Sequence, residues 1–379
     1  MNKELKEILS SISETKDQIY TEELEINMKK FYINTNEYNK TYDKLINKVD
    51  KISSKTFDGE LYDFIYNSFN DSKYKSNFIE DLKNKYPLKN FHIFSNIYNL
   101  FWKGEINLGT HILHDPTTKI KEKILSIAKK ENTRIEINEE SNFWIETIVE
   151  ARDYQAACEI GKIKNDEFLD ALSFILYSPN KLFSKFLITI GYEISHSNFQ
   201  NFFATEGEIS TLTDYLLENT ISKELASPEI LKKLLTLNEQ SFLERKIKSS
   251  LHWFREALQE KNEVTSFLKM MISLESLLSF QEENFMTPSI SHGIGENVAL
   301  ILEKNVEERV NLYNIIKTLY GYRSAIVHSG KSTRITYNTK ITLANIVVKL
   351  IFELVTNEKY KIIIDQKSYI EYFRKIKFS

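Results

Sequence analysis

Hydrophobic positions recur at helical spacing in the last third of the chain, where the pattern is clearest. Apolar residues three or four apart predict one amphipathic helix there, namely Val264, Phe267, Leu268, Met271, Leu274 and Leu278. A second helix, predicted over 311–328, has a stripe formed by Leu312, Ile316, Leu319 and Ile326. Segment 341–355 is apolar on nearly every side and therefore predicts the buried central helix of a bundle.

The preceding two thirds of the chain are less regular. Residues 1–90 have spaced Leu, Ile and Tyr among charged residues, which predicts helices. Partial alternation predicts short strands over 91–98, 133–137, 143–149 and 188–204. Helices are predicted over 151–158, over 166–176 and from Pro228 towards Lys246. The expected fold class is mainly α, with a helical N-terminal region (1–90), an α+β sensing or regulatory region (91–245), a helical domain (246–360) and a basic C-terminal tail (361–379).

Composition narrows the class of protein. The 24 Phe, 20 Tyr and 3 Trp suffice for sizeable cores, and only 10 Gly and 5 Pro argue against a turn-dense all-β fold. The single cysteine, Cys158, excludes a disulfide scaffold and suits a reducing compartment. The first residues lack an apolar leader segment, and the longest apolar run is interrupted by Asn345, Lys349 and Glu353. We therefore expect a cytoplasmic protein without a membrane anchor.

Charge is distributed unevenly along the 379 residues. The formal net charge is −3, yet residues 246–379 hold 19 Lys and Arg against 14 Asp and Glu. No acidic residue occurs between Glu308 and Glu353, and this interval contains seven cations. Such a stretch would attract a polyanion such as RNA. It could equally be a basic face that neutralises the acidic N-terminal half.

One residue interrupts the apolar stripe of the helix predicted over 311–328. Arg323 occupies a stripe position, and a guanidinium there must be paired or face an interface. His328 follows five residues later, in the expected last turn before Gly330. At about 100° per residue the two side chains point roughly 140° apart. Either the helix ends between them, or one site takes groups from two copies of the helix.

The residues around Arg323 resemble a known motif. The segment Tyr320-Gly-Tyr-Arg-Ser-Ala-Ile-Val-His-Ser-Gly330 is similar to the R-x4-6-H signature of the HEPN superfamily. The upstream segment Ile272-Ser-Leu-Glu-Ser-Leu-Leu278 resembles the glutamate-containing helix of its Apea-like branch. The order of the elements between them is also similar, and the resemblance covers about residues 246–358.

The resemblance implies a helical bundle that forms a homodimer and acts as a metal-independent endoribonuclease, often a toxin or phage-defence effector. By this resemblance Arg323 holds the scissile phosphate, and His328 acts as acid or base for attack by the RNA 2′-hydroxyl, leaving a cyclic phosphate. Glu275 would orient Arg323, with Tyr320 and Ser324 as supporting residues; many members have Asn, Asp or His where Ser324 stands. Lys317, Lys331 and Arg334 are expected to bind RNA. No cofactor is implied, and residues 1–245 would bind a trigger or restrain the nuclease.

Other interpretations stay open at this point. Arg323 could simply pair with Glu275 while His328 caps a helix, giving a non-catalytic RNA-binding or protein-interaction module with a degenerate HEPN fold. His111, His114 and Asp115 could instead belong to a metal phosphohydrolase, with His92 the only nearby histidine. Gly293-Ile-Gly295 could begin a helix and hold an anion, and Cys158 suits a packed thiol better than a nucleophile.

Overall fold

A computed structural model describes residues 3–16, 19–71, 77–98, 104–130, 143–177, 189–195, 228–237, 240–278, 290–329 and 335–377. Helices dominate this described part, so the prediction of a mainly α chain is confirmed. Among these residues no helix is both long and apolar enough to cross a membrane.

The N-terminal module combines four helices with a small sheet. Its elements are α1 (Lys3–Ser10), β1 (Ile12–Ser13), β2 (Glu22–Ile26), β3 (Lys29–Ile33), α2 (Thr35–Ile46), α3 (Ser54–Asn70) and α4 (Phe78–Lys85). The strands form an antiparallel sheet in the order β1-β3-β2, which the helical pattern of residues 1–90 did not predict. The hairpin turn between β2 and β3 consists of Asn27 and Met28, both at positive φ, without the glycine that usually marks such a turn. The module has its own hydrophobic core.

The middle region contains a five-stranded antiparallel sheet in the order β5-β6-β7-β4-β8. Its strands are β4 (Lys89–Tyr98), β5 (Glu105–Asn107), β6 (His111–His114), β7 (Trp144–Ala151) and β8 (Thr189–Ser195). The strands predicted over 91–98 and 143–149 are thereby confirmed. Segment 133–137 and residues 196–204 lie outside the described residues. Helix α5 (Ile120–Lys130) packs through Ile120 and Ile124 against Phe94 and Trp144 on one face of the sheet.

Helix α6 (Tyr154–Leu176) connects the sheet to the C-terminal bundle. It is a single helix of 23 residues where the sequence predicted two. Gly161 leaves room for the side chain of Ile93, which a larger residue would displace. Near its other end, Asp170 Oδ1 forms an ion pair with Arg255 Nε at 2.6 Å, and Phe174 packs edge-on against Phe254. Residues of the sheet, of α6 and of the bundle share one core.

The C-terminal bundle has seven α-helices among the described residues. They are α7 (Pro228–Leu235), α8 (Phe242–Gln259), α9 (Glu263–Leu278), α10 (Ile290–Leu302), α11 (Val306–Ser329), α12 (Tyr337–Thr356) and α13 (Gln366–Lys377). Helix α12 is buried along most of its length, as predicted. The predicted border at residue 246 was wrong because it falls within α8.

The segment predicted as a basic tail is part of the bundle. A 3-10 turn (Glu358–Ile362) leads into α13, whose Tyr369 is fully buried and donates a hydrogen bond to the Leu278 carbonyl at 3.2 Å. Phe373, one helical turn later, is also buried. The lysines and arginines of 361–379 are exposed, one on the 3-10 turn and the others on α13, which is why charge alone suggested a tail.

Candidate active site

Helix α11 carries the sequence-predicted motif as one uninterrupted element. Leu312, Ile316 and Leu319 are buried, and the helix ends at Ser329, so His328 lies in its last turn as predicted. The helix does not end between Arg323 and His328. This excludes the first of the two geometric alternatives drawn from the sequence and leaves the second, a site shared by two copies of the helix, as an expectation.

Arg323 is held by Glu275 of the neighbouring helix α9. Its Nε lies 2.9 Å from Oε1, and an Nη nitrogen donates a hydrogen bond to Oε2 at 3.4 Å. The Arg323 side chain is 36% exposed and that of Glu275 20%. The carboxylate therefore fixes one edge of the guanidinium while another edge remains accessible. An arginine held in this way can contact a phosphate without giving up its protein partner.

Tyr320 adds a buried hydroxyl beside this pair. Burial raises the pKa of its phenol, and the negative charge of Glu275 raises it further, so the hydroxyl stays protonated. Its oxygen forms no well-aligned hydrogen bond with any described residue. The phenol thus supplies a neutral donor next to the carboxylate that positions Arg323.

His328 lies on the opposite side of the same helix. Its side chain is exposed and has neither a hydrogen bond nor an ion pair with any described residue. Ser324 is also exposed, and Gly321 and Ala325 leave the helix surface flat around it. Arg323 faces α9 whereas His328 faces solvent, so a single chain does not bring them together.

The predicted RNA-binding residues have different outcomes. Lys317 is exposed and, eleven residues before His328, falls within about 20° of it around the helix. Lys331 and Arg334 lie outside the described residues. Within the acid-free stretch Lys340 is buried and paired with Glu263 at 2.5 Å, so one of its seven cations stabilises the bundle instead of facing a ligand.

Sequence reasoning missed a polar cluster on the face of the sheet covered by α5. Buried Glu146 accepts from His92 Nδ1 at 2.6 Å, His114 Nε2 at 2.9 Å and Lys123 Nζ at 2.8 Å. Burial alone would raise the pKa of Glu146, but these three partners outweigh it and hold that pKa well below its usual value. The partners of Glu146 come from β4, β6 and α5, so no spacing of residues along the chain indicates that they form a cluster.

The proposed metal-ligand set is not assembled. Strand residues alternate between faces, so His111 packs against Phe168 on the α6 side whereas His114 contacts Glu146 on the other. Burial, followed by the charge of Lys164, lowers the pKa of His111 to about 4. Asp115 instead accepts hydrogen bonds from the backbone N–H groups of Gly104, which precedes β5, and of Thr117 in its own loop. In the described ranges no group of three or more His, Cys, Asp or Glu residues could hold a metal ion.

Two further candidates from the sequence, the Gly293–Gly295 segment and Cys158, do not belong to a site among the described residues. Gly293 and Gly295 lie inside α10, which begins at Ile290, so they do not start a helix that could hold an anion. Cys158 is half-buried on α6.

Comparisons with known proteins give no match to a family profile, a curated protein or a solved structure.

Proposed function

We propose that the protein is a metal-independent endoribonuclease of the HEPN type, active as a homodimer. One observation carries the proposal: a continuous helix holds Arg323 against Glu275 and presents His328, without a partner among the described residues, in its last turn. A guanidinium with one free edge suits a phosphodiester, and an exposed imidazole is accessible for proton transfer.

Each side chain then has a defined task. Arg323 binds the non-bridging oxygens of the scissile phosphate, and Glu275 keeps the guanidinium oriented with Tyr320 beside it. His328 acts as acid or base while the 2′-oxygen bonds to phosphorus and the bond to the 5′-oxygen breaks. The products are a 2′,3′-cyclic phosphate and a 5′-hydroxyl end, so the substrate is RNA and not DNA.

Dimerisation follows from the divergence of Arg323 and His328 on α11. A second copy packed against the exposed side of the helix would supply the group that one chain cannot direct into the site. The small residues Gly321, Ser324 and Ala325 permit close approach of two such helices. Lys317 would lie beside the resulting cleft and contact the RNA backbone.

Regulation by residues 1–245 is the remaining part of the proposal. Helix α6 contacts α8 through the pairs Arg255–Asp170 and Lys248–Glu167, and α8 packs against α9, which carries Glu275. A trigger bound to the sheet or to the N-terminal module could therefore act on the helix that positions Arg323. The link to toxin or phage-defence systems is what the family resemblance implies.

A second candidate is a non-catalytic RNA-binding or protein-interaction module. The ion pair between Arg323 and Glu275 favours this alternative, because the arginine has a carboxylate partner even without a substrate. This alternative predicts salt-sensitive RNA binding that survives His328→Ala, and no cleavage.

The direct test is RNA cleavage by the purified full chain in excess chelator, comparing wild type with His328→Ala and analysing the product ends. Cyclic-phosphate ends that disappear in the variant are the expected result. RNA binding without cleavage, in wild type and variant alike, would favour the non-catalytic module. Cleavage that persists in His328→Ala and in Arg323→Ala would contradict the proposed site.

The dimeric site has a separate test, in which inactive Arg323→Ala and inactive His328→Ala proteins are mixed. If each site takes Arg323 from one chain and His328 from its partner, half of the dimers contain one intact site and about a quarter of wild-type activity returns. No recovery, despite exchange of subunits shown by labelled chains, would contradict the shared site.

A further inference from the structure

A cavity of about 660 Å³ lies at the end of the bundle opposite His328. It is bounded by the end of α10, the start of α11, the second half of α12 and helix α13. Pockets of about 300–1,000 Å³ are typical of small-molecule sites. Nothing in the proposed nuclease mechanism uses this cavity.

The rim of the cavity is positively charged. Four cations line it, Lys304, Arg309, Lys349 and Lys359, against two carboxylates, Glu303 and Glu353. Only Lys359 forms an ion pair there among the described residues, with Glu353 at 3.0 Å. Arg309 donates its Nε to the Glu303 carbonyl at 3.0 Å, which orients the guanidinium without neutralising it. Three cations thus remain available to an anionic ligand.

The inner surface of the cavity is apolar and partly aromatic. Phe352 and Tyr372 are half-buried there, and Ile376 and Leu302 complete the wall. Tyr372 packs edge-on against the buried Tyr360, with ring centroids 5.5 Å apart, which fixes the orientation of its ring. Lys349 lies at an exposed position of a helix that is otherwise largely buried. Flat aromatic surface next to unpaired cations suits a ligand that is a heterocycle at one end and an anion at the other.

We infer that this cavity binds a nucleoside polyphosphate, with the base against Phe352 and Tyr372 and the phosphates against Lys304, Arg309 and Lys349. Two or three phosphates match the three available cations. At 1.5 Å per residue, Arg309 is about 28 Å from His328 along α11, so the ligand would not occupy the nuclease site. The inference does not depend on the nuclease proposal, since binding can be measured without any RNA.

Calorimetric titration of the full chain with ATP, adenosine and tripolyphosphate, in excess chelator, tests the inference. ATP is expected to bind more tightly than either fragment because it contacts both the rim and the apolar wall. Lys349→Glu should weaken ATP binding by about tenfold or more, since it reverses an exposed charge beside the phosphates. Lys375→Glu, an equal charge change at an exposed position of α13 outside the cavity, should leave the affinity unchanged.

A second variant separates the two halves of the ligand. Phe352→Leu keeps the wall apolar but removes a ring, so it should weaken ATP binding while leaving tripolyphosphate binding unaltered. Tripolyphosphate binding as tight as ATP, or equal effects of Lys349→Glu and Lys375→Glu, would reduce the cavity to a general anion surface and overturn the inference. Absence of ATP binding to a wild-type protein with an intact thermal transition would overturn it too, as would binding of an RNA oligonucleotide but not ATP at this rim.

Discussion

Glu146 in the sheet and Glu275 in the bundle both hold cationic side chains, yet their surroundings differ. Glu146 is buried and has three partners on adjacent elements, His92, His114 and Lys123. Glu275 is partly exposed and holds one arginine, which keeps an accessible edge. A carboxylate surrounded by donors stabilises a fold, whereas one that orients a single half-exposed cation leaves that cation able to bind something else. This contrast predicts opposite responses to mutation.

The largest expected effect is on catalysis at Arg323. Arg323→Ala should lower RNA cleavage by about 10²- to 10⁴-fold, because it removes the charged contact to the phosphate. Its effect on the urea unfolding midpoint should be small, since the side chain is more than one-third exposed. Arg374→Ala, which removes an exposed arginine of α13, is the matched control and should retain full activity. Equal activity of the two variants would mean that the bundle pair is structural, like the cluster around Glu146.

The next effect is on stability at Glu146. Glu146→Ala should lower the free energy of unfolding by about 3 kcal/mol, because it leaves buried His114 and its neighbours without their acceptor. Glu150→Ala on the same strand removes an exposed carboxylate paired with Lys51 and should cost less than about 1 kcal/mol. Urea denaturation of both variants measures the difference. Similar values would show that burial does not distinguish this cluster from a surface pair.

Acid should abolish the contribution of Glu146. Its pKa lies below the ordinary value of 4.5 in the folded state, so its stabilising contribution is complete above about pH 4.5 and declines as the pH falls towards the folded-state pKa. The glutamine in Glu146→Gln resembles a protonated glutamate. The unfolding free energies of wild type and variant should therefore differ most near neutral pH and converge in acid. A difference that is independent of pH would contradict the ionised cluster.

Glu275→Gln tests whether Glu275 serves catalysis more than stability, in contrast to Glu146. The amide can still contact Arg323 but no longer neutralises it, so the guanidinium should be less well oriented. Cleavage is expected to fall about tenfold while unfolding free energy changes by less than about 1 kcal/mol. A loss of stability as large as that of Glu146→Ala would place Glu275 in the same structural class.

The smallest effect is expected at Lys317. Lys317→Gln should weaken RNA binding only a few-fold and lower the salt dependence of binding by about 0.7 in the log–log slope, as expected for one lost phosphate contact. Filter binding at several salt concentrations measures both values. An unchanged slope would remove Lys317 from the RNA path.

The helical bundle was the part of the fold that the sequence predicted in most detail. The stripe of α11 and the apolar surface of α12 repeat every three or four residues, and Arg323 was recognisable because it interrupted that repeat. The N-terminal hairpin was not predicted because Asn27 and Met28 form its turn without a glycine. Helix α13 was not predicted because its many charged residues suggested a tail, although Tyr369 and Phe373 are buried.

Long-range contacts were predicted only where a motif indicated them. The pairing of Arg323 with Glu275 followed from the family resemblance and is present in the structure. The cluster around Glu146 could not be foreseen, since its members come from β4, β6, β7 and α5. His111 and His114 were predicted to share a metal site because they are close in sequence, but they project from opposite faces of a strand.

The core shared by the sheet, α6 and the bundle has a thermodynamic consequence. Heating should unfold these three parts in one cooperative calorimetric transition, because none can separate without exposing the apolar side of α6. The N-terminal module has a separate core, so we expect it to melt in a transition of its own. A fragment cut at residue 246 would lose the first turn of α8 together with its packing partner, so the molecule divides naturally near residue 88 and not between a sensor and an effector.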